Sequence, residues 1–123
     1  MKIILDTNFI LTCIKNKIDF LEAEDFGILV IPEQVLAELK KLRERDKSKN
    51  SKNAELAVKI ISKNKDKLKT ICLDRKFVDA GIKNYVNNNR NVIIASLDKS
   101  LKKELKNKAK FLVIKNMKRL EVV

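Results

Sequence analysis

The stretch IILDTNFI carries an apolar run, Ile3 to Leu5, straight onto a bare carboxylate, Asp6, and NVIIASLD ends the same way on Ser96 and Asp98. Either aspartate could simply cap a following helix by accepting backbone N–H bonds. Two more acids border apolar helical stripes. Glu38 flanks Val35, Leu36, Leu39 and Leu42 in IPEQVLAELKKL, and Asp79 borders Val78, Ile82, Tyr85 and Val86 in DRKFVDAGIKNYV. If such carboxylates met, they would repel one another and resist ionisation unless a cation sat among them. The chain has no histidine, and its two cysteines lie among apolar neighbours, so oxygen donors are left. Oxygen donors select a hard ion, Mg²⁺ or Mn²⁺, which lowers the pKa of bound water and braces charge on a phosphoryl group. No protein base is then needed.

What is missing narrows the chemistry further. Without histidine there is no imidazole base, no Ser-His-Asp or Cys-His triad and no usual zinc set. Two glycines are too few for a Walker A loop or a G-x-G-x-x-G turn. Both cysteines, Cys13 and Cys72, read as reduced core residues of a cytoplasmic protein. No apolar run approaches the roughly 18 residues of a membrane span.

With 28 Lys and Arg against 16 Asp and Glu, the formal net charge is +12, which favours a polyanionic partner, nucleic acid first. The basic residues concentrate in KKLRERDKSKNSKN, with seven basic residues against two acids, and from Lys102 to Arg119, with eight against the single acid Glu104. Both could be solvated faces. Read as phosphate-capturing surfaces, they offer Lys40, Lys41, Arg43, Lys47, Lys49, Lys52, Lys102 and Lys103 to a nucleic-acid backbone. The region from Asp46 to Asn53 has nothing apolar to bury and reads as an exposed loop. The aromatics Phe9, Phe20, Phe26, Phe77, Tyr85 and Phe111 read as core rather than a base-stacking strip.

These residues need elements to position them. Short apolar runs at Lys2–Leu5, Gly27–Ile31, Leu68–Leu73, Asn91–Ala95 and Lys110–Ile114 read as strands buried on both faces. Helical periodicity occupies Asn8–Lys15, Asp19–Asp25, Pro32–Arg45, Ser51–Asn64, Arg75–Asn87 and Lys99–Asn107, with Pro32 at a first helical position and Ser51 or Asn50 as a cap. The alternation predicts one α/β domain, residues 1–123, with a parallel sheet between helices. Ligands of such sheets bind at the carboxyl ends of strands where strand order reverses. If strands one and four were neighbours there, Asp6 and Asp98 would share a crevice.

Taken together, IILDTNFIL, VIPEQVLAELKKL, VDAGIKNY and VIIASLDKSLKKELK resemble, in order and spacing, the motifs of the PIN domain family. The closing FLVIKNMKRLEV is similar to that family's last strand and tail. The resemblance covers essentially the whole chain. It implies a three-layer α/β/α sandwich on a five-stranded parallel sheet ordered 3-2-1-4-5. It also implies a metal-dependent RNA endonuclease that leaves 5′-phosphate and 3′-hydroxyl ends, acting in ribosomal RNA processing or as a toxin-type ribonuclease. By position, Asp6, Glu38, Asp79 and Asp98 would be the catalytic cluster holding one or two Mg²⁺ or Mn²⁺ ions. Asn8 and Ser96 would orient the first carboxylate. The partners implied are ribosomal or structured RNA, an antitoxin or preribosomal proteins, and a second copy in a homodimer, with no membrane involved. Ala80 departs from the pattern, since many relatives carry a second acid there, and this argues for a single ion.

Two other readings use the same residues. One is a non-catalytic RNA- or ribosome-binding module on this fold, favoured by Ala80 and the charge. The other is a phosphoacceptor receiver with Asp74, Ser96 and Lys115 in the acceptor, hydroxyl and lysine roles. Against the receiver stand the lone acid after the first strand, the lack of a proline after Lys115, and the charge of +12.

Overall fold

A computed structural model describes residues 1–45, 48–73 and 77–123. The chain opens with β1 (Lys2–Leu5) and α1 (Thr7–Lys15), followed by a 3-10 helix over Phe20–Phe26. Next come β2 (Ile28–Pro32), α2 (Glu33–Glu44), α3 (Lys49–Lys63) and β3 (Leu68–Ile71). The chain ends with α4 (Val78–Asn88), β4 (Val92–Ala95), α5 (Lys99–Leu105), β5 (Lys110–Lys115) and β6 (Arg119–Val122). The sheet order is β3-β2-β1-β4-β5-β6, with every pair parallel except the antiparallel β5–β6.

The alternation of side chains along the strands divides the core in two. Ile3, Leu5, Leu29, Ile31, Ile93 and Ala95 face the layer of α1, α2 and α3, packing with Phe9, Val35, Leu39 and Val58. Ile4, Val92, Ile94 and Phe111 face the opposite layer, against Ile82 and Val86 of α4 and Leu101 and Leu105 of α5. Strands covered on both faces must be apolar throughout, which is why VIIA of β4 is wholly buried. At the carboxyl ends of β1 and β4 the chain turns polar. β1 pairs with β4 in register Leu5 to Ala95, so the residues just beyond, Asp6 and Ser96, emerge side by side.

The sheet has a sixth strand that the five-stranded expectation lacks. Asn116 and Met117, with φ of 54° and 55°, are the central residues of a turn closed by the Lys118 N–H on the Lys115 carbonyl at 3.1 Å, within the three-residue connection from β5 to β6. Both residues are left-handed, the requirement of a type I′ turn. The favoured Asn-Gly signal is absent because Met117 stands where glycine would. The predicted tail therefore folds back as β6.

Other local expectations also shift. Pro32 ends β2 and precedes α2 rather than opening it. The cap of α3 is Ser48, whose hydroxyl accepts the Ser51 N–H at 3.3 Å, so Lys49–Asn53 is helical and not loop. Ser51 instead donates its hydroxyl to the Arg43 carbonyl at 3.1 Å, stitching α2 to α3. Cys13 is buried as expected, but Cys72, just beyond the end of β3, is exposed. Phe26 and Phe77 are 37% and 71% exposed, so neither is a core aromatic. Among the described residues no helix is long and apolar enough to cross a membrane.

Candidate active site

A cleft of about 360 Å³ opens at the carboxyl ends of β1 and β4, lined by Asp6, Thr7, Asn8, Glu38, Val78, Asp79, Leu97 and Asp98. Each predicted acid reaches it from a different segment. Asp6 follows β1, Glu38 lies on α2, Asp79 is in the first turn of α4, and Asp98 precedes α5. Residues 38, 79 and 98 are distant in sequence from Asp6. The parallel crossovers bring them to one rim.

Both aspartates at strand ends do cap helices, and that does not exhaust them. Asp6 Oδ1 accepts the Thr7 N–H at 2.8 Å, while Oδ2 accepts the Ser96 hydroxyl at 3.1 Å. Ser96 Oγ accepts the Asp98 N–H at 3.1 Å, so one buried hydroxyl links the two strand ends. Asp98 Oδ1 accepts the N–H groups of Ser100 and Leu101 at 2.9 and 3.2 Å, which fixes the carboxylate at the mouth of α5. Burial holds the Asp6 carboxyl above the usual carboxylate range, with the charges of Asp79 and Glu38 adding to it, while Thr7 and Ser96 pull the other way. Asp79 is also raised, first by partial desolvation and then by the charge and close contact of Asp98. The electrostatic signs show acids that resent one another's company.

The four acids share the cleft, but they line its rim openly. Among the described residues no group of three carboxylates is compact enough to be a ready-made metal cage. The donor chemistry nevertheless suits a hard divalent ion: the rim offers carboxylate oxygens, no imidazole and no thiolate. A divalent ion there would also offset the burial, and the lesser mutual repulsion, that keep Asp6 and Asp79 hard to ionise.

The orienting residues sort differently from the expectation. Ser96 bonds Asp6 directly. Asn8 lines the cleft but its side chain makes no hydrogen bond among the described residues, so it does not hold Asp6 there. Thr7 does what the sequence reading did not anticipate. It is 4% exposed and its Oγ1 donates to Glu38 Oε2 at 2.7 Å, tying α1 to the acid of α2. Its place inside the D-T-N run was the only signal.

Gln34 is a second unanticipated residue. Its Nε2 donates to the Leu73 carbonyl at 2.8 Å and its Oε1 accepts the Leu73 N–H at 3.3 Å, clamping the first turn of α2 to the segment leaving β3. Leu73 also packs into the space left by Gly81 of α4, where a Cβ would come within 2.7 Å of Leu73 Cβ. The helices bearing Glu38 and Asp79 therefore meet through one leucine.

The proposed RNA-contacting cations do not form one surface. Lys41 stands beside Glu38, with Leu42 and Arg45, at helical spacing on the cleft side of α2. Arg45 is a cation the sequence reading passed over. Lys40 turns instead into a groove with Leu36, Ile61 and Leu68. Arg43 leans on Glu44 at 3.7 Å. Lys49 and Lys52 lie exposed at the start of α3, and Lys102 and Lys103 are exposed on α5. Lys47 lies outside the described residues, as does Asp74 of the receiver alternative.

Known proteins resemble the chain over nearly its whole length. A solved structure described as the PIN domain endonuclease Utp24 superposes with a TM-score of 0.78 at 25% identity, over 98% of this chain and 90% of that one. Ribonuclease VapC4 of Methanocaldococcus jannaschii is 33% identical over 132 residues, spanning 98% of this chain and 95% of the relative. A family model described as a PIN like domain matches residues 3–119, and the chain belongs to that family.

Proposed function

We propose that the protein is a divalent-metal-dependent endoribonuclease that hydrolyses phosphodiester bonds. One observation carries the reading: Asp6, Glu38, Asp79 and Asp98, from separate parts of the chain, line a single cleft in a molecule of net charge +12. Concentrating negative charge inside a strongly basic protein suits a site that gathers a cation and then a polyanion. The ribonuclease and endonuclease named among its relatives support the same reading.

Asp6, Asp79 and Asp98 would hold one or two Mg²⁺ or Mn²⁺ ions, with Glu38 across the cleft. The chemistry such an ion supplies when bound is water activation near neutral pH and neutralisation of charge on the phosphoryl group. The protein's own groups orient. Ser96 fixes the rotamer of Asp6, the α5 N-terminus fixes Asp98, and Thr7 turns Glu38 inward. With no histidine in the chain, no imidazole is available to move the proton. Leu97 and Val78 form the apolar part of the lining. Lys41 and Arg45 share a groove with Glu38 and would meet phosphates at the cleft edge.

The test is cleavage of labelled RNA with and without Mn²⁺. Cleavage should require the ion and be lost in Asp6→Asn. Metal-independent cleavage, or full activity in a folded Asp6→Asn variant, overturns the proposal. The biological setting is proposed at the same level: a cytoplasmic ribonuclease of ribosomal RNA processing or of toxin type, with preribosomal proteins or an antitoxin as partner. A second reading, a non-catalytic RNA-binding module, is favoured by the open spacing of the acids and by Ala80. Calorimetry that finds tight RNA binding and no Mn²⁺ binding would select it.

A further inference from the structure

The far end of the same strands carries the opposite chemistry. Two adjoining clefts of about 440 and 250 Å³ share Asn91 and Lys108 at the amino ends of β1, β4 and β5. Their cations are Arg90, Lys106, Lys108 and Lys110, set among asparagines, and no carboxylate lines either cleft. Asn88 and Asn89 spend their amide N–H groups on carbonyls of Asn84 and Tyr85, at 3.0 and 2.8 Å, so they shape the wall. Lys108 is steadied by Asn87 Oδ1 at 3.1 Å.

Helix α5 joins the two ends. It starts at Asp98 on the acid cleft and runs to Lys106 in the far cleft, where the backbone is still helical (φ −56°, ψ −27°). Leu101 and Leu105 form its buried face. Lys99, Lys102, Lys103 and Lys106, all exposed, recur at i, i+3, i+4 and i+7, within about 100° of arc on the opposite face. The one acid of the helix, Glu104, is off that stripe and is taken by Lys83 at 2.6 Å. Among the described residues, neither the stripe lysines nor Arg90, Lys108 and Lys110 are in ion pairs. Uncompensated like charges in a row repel, and an aligned polyanion removes that repulsion.

We propose that α5 and the clefts beyond it form a phosphate track that carries RNA from the acid cleft to an anchoring site at the far end of the sheet. The eight helical rises from Asp98 to Lys106 span about 12 Å, so the anchor grips the strand a few nucleotides from the bond being cut. This rests on the ribonuclease reading for the identity of the polyanion, and it assigns the anchor to Arg90, Lys106, Lys108 and Lys110.

The test measures binding without cleavage. Anisotropy of a labelled oligouridylate, long enough to reach both clefts, is followed against salt in EDTA. The triple variant Arg90→Ser, Lys108→Ser, Lys110→Ser is compared with Lys63→Ser, Lys65→Ser, Lys69→Ser, an equal charge loss on exposed residues elsewhere. Each lost phosphate contact on a single strand lowers the slope of log K against log salt by about 0.7, so the anchor variant should lose about 2. The control should keep the wild-type slope. Equal losses in both variants, an unchanged slope in the anchor variant, or no RNA binding by the wild type overturns the track. Failure of Mn²⁺-dependent cleavage would overturn the ribonuclease reading alone and leave these slopes standing.

Discussion

Replacing Thr7 with valine removes one hydroxyl and keeps the shape. Thr7 is 4% exposed and its hydroxyl meets Glu38 Oε2 at 2.7 Å. Hydrogen bonds to charged groups contribute about 1.5–3 kcal/mol. Two effects reduce that here. Glu38 is exposed, so its freed oxygen is rehydrated rather than stranded. The new methyl also gains about 0.8 kcal/mol by burial. The net loss is about 1 kcal/mol, or a fall of about 4 °C in Tm for a chain of this size. Activity should fall much further, about 10–100-fold, because misorienting one carboxylate of a metal-assisted site acts on the reacting geometry. Thr7→Ser keeps the donor and should recover most of the rate while opening a small gap where the methyl was. The assay pairs thermal melts with Mn²⁺-dependent RNA cleavage. If valine leaves the rate near wild type, or serine is as slow as valine, the Thr7–Glu38 bond does not set the site.

Asp6→Asn should raise Tm in EDTA at pH 7 even as it abolishes cleavage, since asparagine can keep the cap while removing a buried like charge. The sign follows from the raised pKa: its stabilisation is full below the unfolded value and lost as pH rises through the folded one. The gain over wild type should therefore shrink as pH falls towards 4. A gain that grows on acidification would refute the account. MnCl₂ should raise the Tm of wild type and not of Asp6→Asn. Gly81→Ala should lose about 1–3 kcal/mol by denaturant titration, because the Cβ contact with Leu73 at 2.7 Å outweighs about 1 kcal/mol of helix propensity. Phe77→Ala, at a position 71% exposed, should change stability by less than about 0.5 kcal/mol, whereas Phe9→Ala, fully buried, should cost about 3–5 kcal/mol.

The parts of the fold that were legible in the sequence are those that burial dictates. Strands covered on both faces cannot avoid looking apolar, so β1 and β4 stood out, and the carboxylates that end them were conspicuous against that background. Exposure at element ends was less legible. Cys72 follows β3 and Phe77 precedes α4, and at such element ends apolar type no longer implies core. The β6 hairpin was hidden because Met117 occupies a left-handed position without the glycine that would signal it. At the site, acids on helix flanks were readable from periodicity. The threonine and glutamine that steady them were not, since nothing local tells a buried hydroxyl or amide which distant oxygen it will find. Lys40 and Lys41 show the same limit: neighbours in sequence, they point to different grooves because a helix turns about 100° per residue.

The clamp of Gln34 on Leu73 has a practical use. A carboxamide that donates to the carbonyl and accepts from the N–H of one residue, Leu73, ties α2 to the leucine that packs against Gly81 of α4. Drawing Asp79 inward around a cation would move the start of α4, and the close packing of Gly81 on Leu73 would carry that displacement to the Gln34 side chain. The Gln34 side-chain NH₂ resonances should then shift on Mn²⁺-free Mg²⁺ titration, a spectroscopic gauge of loading placed outside the lining itself.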